Sequence, residues 1–348
     1  MGCGPGAAGS ARLIADAKEI PHPRDVFDLS GAEAPERGWL EALDRGRMHH
    51  AWLLVGPEGV GKATFAYRAA RRLLGARPDP SRGLLGSDPD DPVSHQVAAR
   101  SHPDLLVLER EVEDGKARRN IPVDEARRLP EFFSKSPAVS PWRVAIIDAA
   151  DDLNANAANA VLKTLEEPPP RGVLFLVCHS PGRLLPTIRS RCRRLQFRPW
   201  PDADVAAFVQ SHANLDTESA SRIAAMAKGS PGQALALAEA GALEVDRTAL
   251  ELLRRLPDVD ESELLALAGQ LRGQEGARRF ELLFERLAEH VKAMVEQTAD
   301  AEGAGRVEPW LDAWDQLTNL PGEAEALNLD RQDAFWTAVG ALREAARA

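Results

Sequence analysis

The chain has 348 residues, long enough for two or three domains, and its 44% hydrophobic share is ample for a buried core. Its formal net charge of -10 excludes a free-standing duplex-DNA binder, which carries a basic field; any nucleic-acid contact must be local or shared with partner subunits. The cysteines Cys3, Cys178 and Cys192 are too few and too scattered for a disulfide framework or a four-thiolate zinc site, which suits a reducing cytoplasm.

The start, MGCGPGAAGSAR, has no apolar core behind it. It reads as a flexible tail over residues 1–18, with neither a signal peptide nor a lipid anchor at Cys3. No apolar run approaches the length of a membrane span.

From about residue 38 to 198, apolar runs alternate with helical patterns. AWLLV (51–55) predicts a buried strand, followed by a helix from Lys62 to about Leu74. Residues 75–101 are rich in Pro, Gly and Asp and read as a loop excursion. DLLVLE (104–109) predicts the next strand, and EDGKARRN a polar turn. VDEARRLPEFFSKS is helical, with Pro130 expected to interrupt it. RVAIID (143–148), VLFLVC (173–178) and RRLQF (193–197) complete five strands. Between them, LNANAANAVLKTLEE (153–167) places Leu153, Ala157, Ala160, Val161, Thr164 and Leu165 on one helical face, and Pro168 to Pro170 stop it. Strands alternating with helices imply a largely parallel sheet covered on both faces.

After FRPWP the pattern becomes helical throughout. Short helices fill 202–241, one of them starting at Ser230-Pro231 with Gln233 in a capping-box position. Phe280, Leu283, Phe284, Leu287, Val291 and Met294 form a helical stripe, and Trp310 and Trp314 lie one turn apart. Such aromatics are expected to pack in a core.

Three segments carry chemistry. GPEGVGKAT (56–64) follows a strand and opens a helix, as a phosphate-binding loop does. Gly56, Gly59 and Gly61 let the backbone aim its N–H groups at phosphate oxygens, and Lys62 would neutralise the beta and gamma phosphates. The next position needs a hydroxyl for magnesium and holds Ala63. Thr64 follows, but one helical step turns it about 100° away. In VAIIDAADDLN (144–154), Asp148 fits the magnesium-holding acid, Ala149 stands where a water-orienting Glu belongs, and Asp151 and Asp152 are expected to begin the next helix. With both the hydroxyl and the Glu missing, hydrolysis is expected to be slow or absent. The third segment is TIRSRCRRLQF (187–197), in which Ser190, Arg191 and Cys192 precede the last strand. Alone, that tripeptide is equally a solvated basic edge.

NAANAVLKTLEEPP (156–169) is close to the signature helix of bacterial clamp-loader AAA+ subunits. HHAWLLVGPEGVGKAT (49–64), HPDLLVLE (102–109), TIRSRCRRLQF and GSPGQALAL (229–237) follow that family's order, so residues from about 20 to 240 resemble it. The resemblance implies a RecA-like α/β AAA+ domain with a parallel sheet over 19–199, a small helical lid over 200–242 and an all-α collar over 243–348. It implies that Arg191 is an arginine finger reaching in trans into a neighbour's ATP site, supported by Ser190 and Cys192. The motor subunits, gamma and tau, keep the magnesium hydroxyl, the Glu and a lid arginine; here Ala63, Ala149 and Gly232 stand instead. The pattern resembles the family's structural subunit, in which ATP or ADP binds weakly at best and no cofactor is required. An ATP-hydrolysing motor of the gamma kind is the alternative, and an unrelated P-loop enzyme acting on a small substrate a second one. The implied partners are the gamma/tau and delta subunits, with primed DNA and a transient contact to the sliding clamp, in the cytoplasm and away from membranes.

Many relatives insert a four-cysteine zinc module where residues 75–101 stand. His95 within it and His102 just beyond it are the only candidate histidine or cysteine ligands, so no zinc is expected. His49 and His50 are read as packing or adenine-adjacent groups, and Cys178 as a buried thiol with Cys192 packed behind the finger. Arg189, Arg193, Arg194 and Arg198 are expected at a subunit interface.

Overall fold

AWLLV, RVAIID and VLFLVC become strands because each is apolar enough to be covered from both sides. The computed structural model describes residues 20–110, 112–113, 116–117, 120–302 and 307–347; the expected tail at 1–18, with Cys3, lies outside them. Strands β1 (Ala51–Val55), β2 (Leu105–Glu109), β5 (Arg143–Asp148), β6 (Gly172–Cys178) and β7 (Arg193–Gln196) form one parallel sheet in the order β2-β5-β6-β1-β7. A short antiparallel ladder, β3 (Val112–Glu113) with β4 (Lys116–Ala117), falls within the expected polar turn.

The strand period of two divides the core. Trp52, Leu54, Phe175 and Val177 face one side, where they meet Trp39 of α1 (Glu33–Asp44), Phe65 of α2 (Lys62–Leu74) and Val97 of α3 (Pro92–Ala98). Leu53, Val55, Leu174 and Leu176 face the other side and meet Phe133 of α4 (Val123–Ser134), Val161 and Leu165 of α5 (Ala155–Glu166) and Ile188 of α6 (Pro186–Ser190). Both faces are covered, which is why these strands read as continuous apolar runs.

Two local expectations are corrected. Pro130 does not interrupt α4, which runs through it; the missing donor costs one bond to Ala126, while Ala126, Leu129 and Phe133 remain buried along the helix. The 75–101 segment is not simply a loop. It contains α3, which starts at Pro92 and is capped by Asp91 Oδ1 accepting from Val93 N at 2.8 Å. Leu85 and Val97 are 1% and 0% exposed, so the excursion has its own anchor in the core.

Arg68 ties this excursion to the rest. It is fully buried on α2, with Nε 3.1 Å from Glu36 Oε1, Nη2 donating to Arg82 O at 2.8 Å and Nη1 donating to Phe27 O. One guanidinium thus joins α1, the excursion and the N-terminal strap, residues 20–31. Arg71, one turn on, donates to Arg24 O and stacks on the Phe27 ring at 4.1 Å. Nothing in the helical pattern of YRAARRLL marks these arginines as interior.

Beyond the sheet come α7 (Asp202–Ala213), α8 (Thr217–Ala227) and α9 (Pro231–Glu239), and among the described residues no strand follows Gln196. The chain divides into two compact units, one ending at Leu235 and the other running from Ala236. The second unit holds α10 (Ala242–Arg255), α11 (Glu261–Gly269), α12 (Gly273–Glu302), α13 (Glu308–Leu327) and α14 (Arg331–Arg347). Its core takes Phe280, Leu283, Phe284, Leu287 and Val291 from the stripe read in the sequence, with Phe335 and Leu342 from α14. Met294 departs from that reading at 37% exposed, where the stripe runs out. Trp310 and Trp314 also depart from it: both are half-buried, and Ala313 and Leu317 supply the buried face of α13.

Candidate functional site

The expected phosphate loop, residues 56–61, spans the gap between β1 and α2. Gly59 and Gly61 adopt φ of 75° and 98°, the left-handed region that glycine enters without steric cost. Lys62 opens α2 and is 2% exposed. Its Nζ is turned into the loop itself, donating to Gly56 O at 2.7 Å and to Pro57 O. Burial lowers its pKa to about 8, against the opposing pull of Asp148 and Glu58.

Around the lysine stand Ala63, Thr64, Asp148 and Ala149. Ala63 packs against the core, and Thr64 is 8% exposed. Asp148 ends β5, with its carboxyl pushed up to about 6 by burial and by Glu109, which outweigh Lys62. Ala149 is 4% exposed.

Asp151 and Asp152 do not begin the next helix. They form a single 3-10 turn, and Asn154 caps α5 instead, accepting from Ala157 N at 2.9 Å. Asp151, 8% exposed, accepts from His179 N at 3.1 Å and Ser180 N at 2.9 Å, fixing the chain where it leaves β6. This bolt has no signature in the sequence beyond an acid next to an apolar strand.

The start of helix α9, expected to form the lid, meets the loop at Gly59. Gly232 N donates to Gly59 O at 2.8 Å. A Cβ on Gly232 would stand 2.8 Å from that oxygen, and a Cβ on Gly59 would stand 2.6 Å from Gln233 N. Leu29 of the N-terminal strap covers Gly61, where a Cβ would meet its Cδ1 at 2.6 Å.

Arg191 lies elsewhere. It follows α6 and precedes β7, which runs parallel to β1 with Arg193 paired to Trp52 and Gln196 to Val55. The phosphate loop leaves the C-terminal end of β1, and Arg191 stands beyond the N-terminal end of β7. From Trp52 to Gly56 alone the strand rises ~13 Å. The guanidinium is half-exposed, with Nη1 donating to Thr187 O at 3.2 Å and Nη2 3.1 Å from Glu166 Oε1. Ser190 Oγ donates to Thr187 O at 3.1 Å. Cys192 packs against the core beside these residues, and burial pushes its thiol, like that of Cys178, to about 12. Neither sulfur is a thiolate nucleophile at neutral pH.

Arg189, Arg193, Arg194 and Arg198 are exposed, and Arg193 lies over the Trp52 ring at 4.9 Å. Arg189, Ser190 and Arg194 rim a pocket floored by Leu53 and Val55. His49 and His50 stack at 4.4 Å before the first residue of β1, at the end of the strand opposite the phosphate loop, which favours packing over adenine contact. His102 Nδ1 accepts from Asp104 N at 3.1 Å. Among the described residues, no group of three or more His, Cys, Asp or Glu could hold a metal ion.

The same segments match known proteins. Residues 33–201 match the family model described as DNA polymerase III, delta subunit. Across that stretch the chain is similar to that family. Over 220 residues it is 36% identical to the DNA polymerase III subunit delta' of Pseudomonas aeruginosa, covering 63% of this chain and 64% of that one. It is 30% identical to the subunit delta' of Escherichia coli over 65% of this chain and 66% of that one. The subunit gamma of Buchnera aphidicola is 32% identical over 62% of this chain and 58% of its own. The match thus spans less than two thirds of each relative's length.

Proposed function

We propose that this chain is the delta-prime-type structural subunit of a bacterial DNA polymerase III clamp loader. It lends Arg191 to the ATP site of a neighbouring gamma or tau motor and hydrolyses little or no ATP itself. The observation that carries this reading is the separation of the two chemistries. Arg191 stands at the opposite end of the β1–β7 pair from the loop holding Lys62, so its charge serves a nucleotide bound to another chain. In trans, a guanidinium stabilises the charge that builds on a transferred phosphoryl group, and its planar fork suits two phosphate oxygens at once. Within the chain's own site, Lys62 is bonded to loop carbonyls, Ala63 offers magnesium no hydroxyl, and Ala149 cannot orient water.

The accompanying partners are the gamma/tau and delta subunits, primed DNA within the assembly and a transient contact with the sliding clamp. The domain roles follow: residues 19–199 carry the AAA+ chemistry, 200–242 the lid and 243–348 the collar that joins the ring. No described helix is long and apolar enough to cross a membrane, in keeping with a cytoplasmic place.

The gamma-type motor reading draws on the 32% identity to gamma subunits, and Ala63, Ala149 and Gly232 oppose it. Turnover separates the two. The chain alone is expected to release no phosphate above background with magnesium and ATP, and to join motor and delta subunits in a five-subunit complex. Sustained turnover by the chain alone would support the motor.

A further inference from the structure

We propose that α9 is a resident cover on the phosphate loop, latched through Gly59 and Gly232, and that a nucleoside diphosphate binds only when this latch opens. The inference rests on reading residues 56–62 as a nucleotide site by descent.

The first N–H groups of a helix have no partner within the helix. Gly232 is the second residue of α9, and its N–H finds Gly59 O at 2.8 Å. The loop carbonyl thus caps the lid helix, and the lid helix fixes the loop. The approach is closed on both sides, since a Cβ at either glycine would fall within 3 Å of the other segment's backbone. Lys62 donates to Gly56 O and Pro57 O, so the loop's cation is already bonded inside it.

A second clasp holds the lid at its hinge. Trp200 N donates to Gly229 O at 2.8 Å, two residues before α9. The Trp200 indole lies against Gly31 of the strap, where a Cβ would meet Nε1 at 2.3 Å. Lifting α9 from the loop therefore strains the hinge as well. An apparent dissociation constant equals the intrinsic one divided by the open fraction, so a mostly latched loop binds weakly however well its glycines and lysine are formed.

Gly232 is the informative position. It has no positive φ and lies in a helix, so alanine there favours the helix while its Cβ breaks the contact. Gly59 is less useful, because its φ of 75° strains any side chain.

The test uses the full chain without partners, ADP as the probe, calorimetric titration for binding and amide hydrogen exchange over residues 56–64 for the latch. The unmodified chain is expected to exchange slowly there and to give no saturable ADP binding. Gly232→Ala, and independently Gly232→Ser with the same added Cβ, should speed exchange in the loop and tighten ADP binding at least about tenfold. Adding Lys62→Ala to Gly232→Ala should abolish the gained binding. The proposal is overturned if the loop loosens and ADP binds no tighter. It is equally overturned if the unmodified chain binds ADP while its loop amides keep their slow exchange. Because no neighbour is present, either result leaves the trans role of Arg191 to its own test.

Discussion

Arg191 and Glu166 meet at 3.1 Å, joining the residue after α6 to the last turn of the signature helix α5. Their side chains are 37% and 52% exposed, so water screens the pair and its release costs little. In the proposed role, Arg191 is held in place by this pair yet free to move to a phosphate. Glu166→Gln should change unfolding free energy by under ~1 kcal/mol in urea titrations. A loss of several kcal/mol would mean that the pair is structural, and that Arg191 is not free to reach elsewhere.

Arg68 and Glu36 form the opposite case. At 0% and 3% exposed, they lie where an unpaired charge is costly. Arg68→Ala should destabilise the chain by about 3–5 kcal/mol, because Glu36 is left buried alone and the strap and excursion lose their shared donor. Arg68→Met combined with Glu36→Leu should recover much of that loss. Urea unfolding checks both, and limited proteolysis between residues 75 and 101 reports whether the excursion comes loose.

Asp148 gives a pH signature. Burial raises its carboxyl to about 6 in the folded chain, above the ordinary aspartate range. A raised acid is penalised whenever it is ionised, so the penalty is full above that pH and fades as pH falls toward about 4. Asp148→Asn should therefore stabilise the chain at pH 7.5 by roughly 1–3 kcal/mol, reduced because Lys62 loses an opposing charge. Melting curves should converge near pH 4. Equal shifts at both pH values would show that the carboxyl is not perturbed.

The inner strands β1, β5 and β6 were legible because they are buried on both faces and leave unbroken apolar runs, and the glycine-rich turn because its glycines and Lys62 follow β1 directly. What escaped the sequence was tertiary. Arg68 looks like any helix-surface arginine until the strap and excursion fold over it. Asp151 reads as a helix-start acid, but its partners, the N–H groups of His179 and Ser180, lie 28 and 29 residues ahead in sequence. Gly232 reads as a missing arginine, and only the fold brings it against Gly59. Pro130 misled because one lost backbone bond weighs less than three buried side chains.

Trp310 and Trp314 were expected in a core and are half-buried on α13. A buried tryptophan cut to alanine costs about 3–5 kcal/mol. Here Trp314→Ala should cost less than that in the isolated chain. If 243–348 is the collar, its larger effect should appear as weaker assembly with the gamma/tau and delta subunits, read by analytical ultracentrifugation. Unchanged assembly would place the collar surface elsewhere.

The trans role of Arg191 is tested most directly by clamp loading in a complex reconstituted from gamma/tau, delta and this chain, with Arg191→Ala in place of the unmodified subunit. The variant should fold and assemble normally, since its side chain is half-exposed. Loading should fall sharply, because a finger is worth about 10³–10⁵-fold in rate at the site it serves, while total ATPase falls only in part because other motor sites keep theirs. Arg191→Lys should restore little, since an ammonium lacks the planar fork. A complex that contains Arg191→Ala, assembles fully and still loads clamps at the unmodified rate would contradict the account.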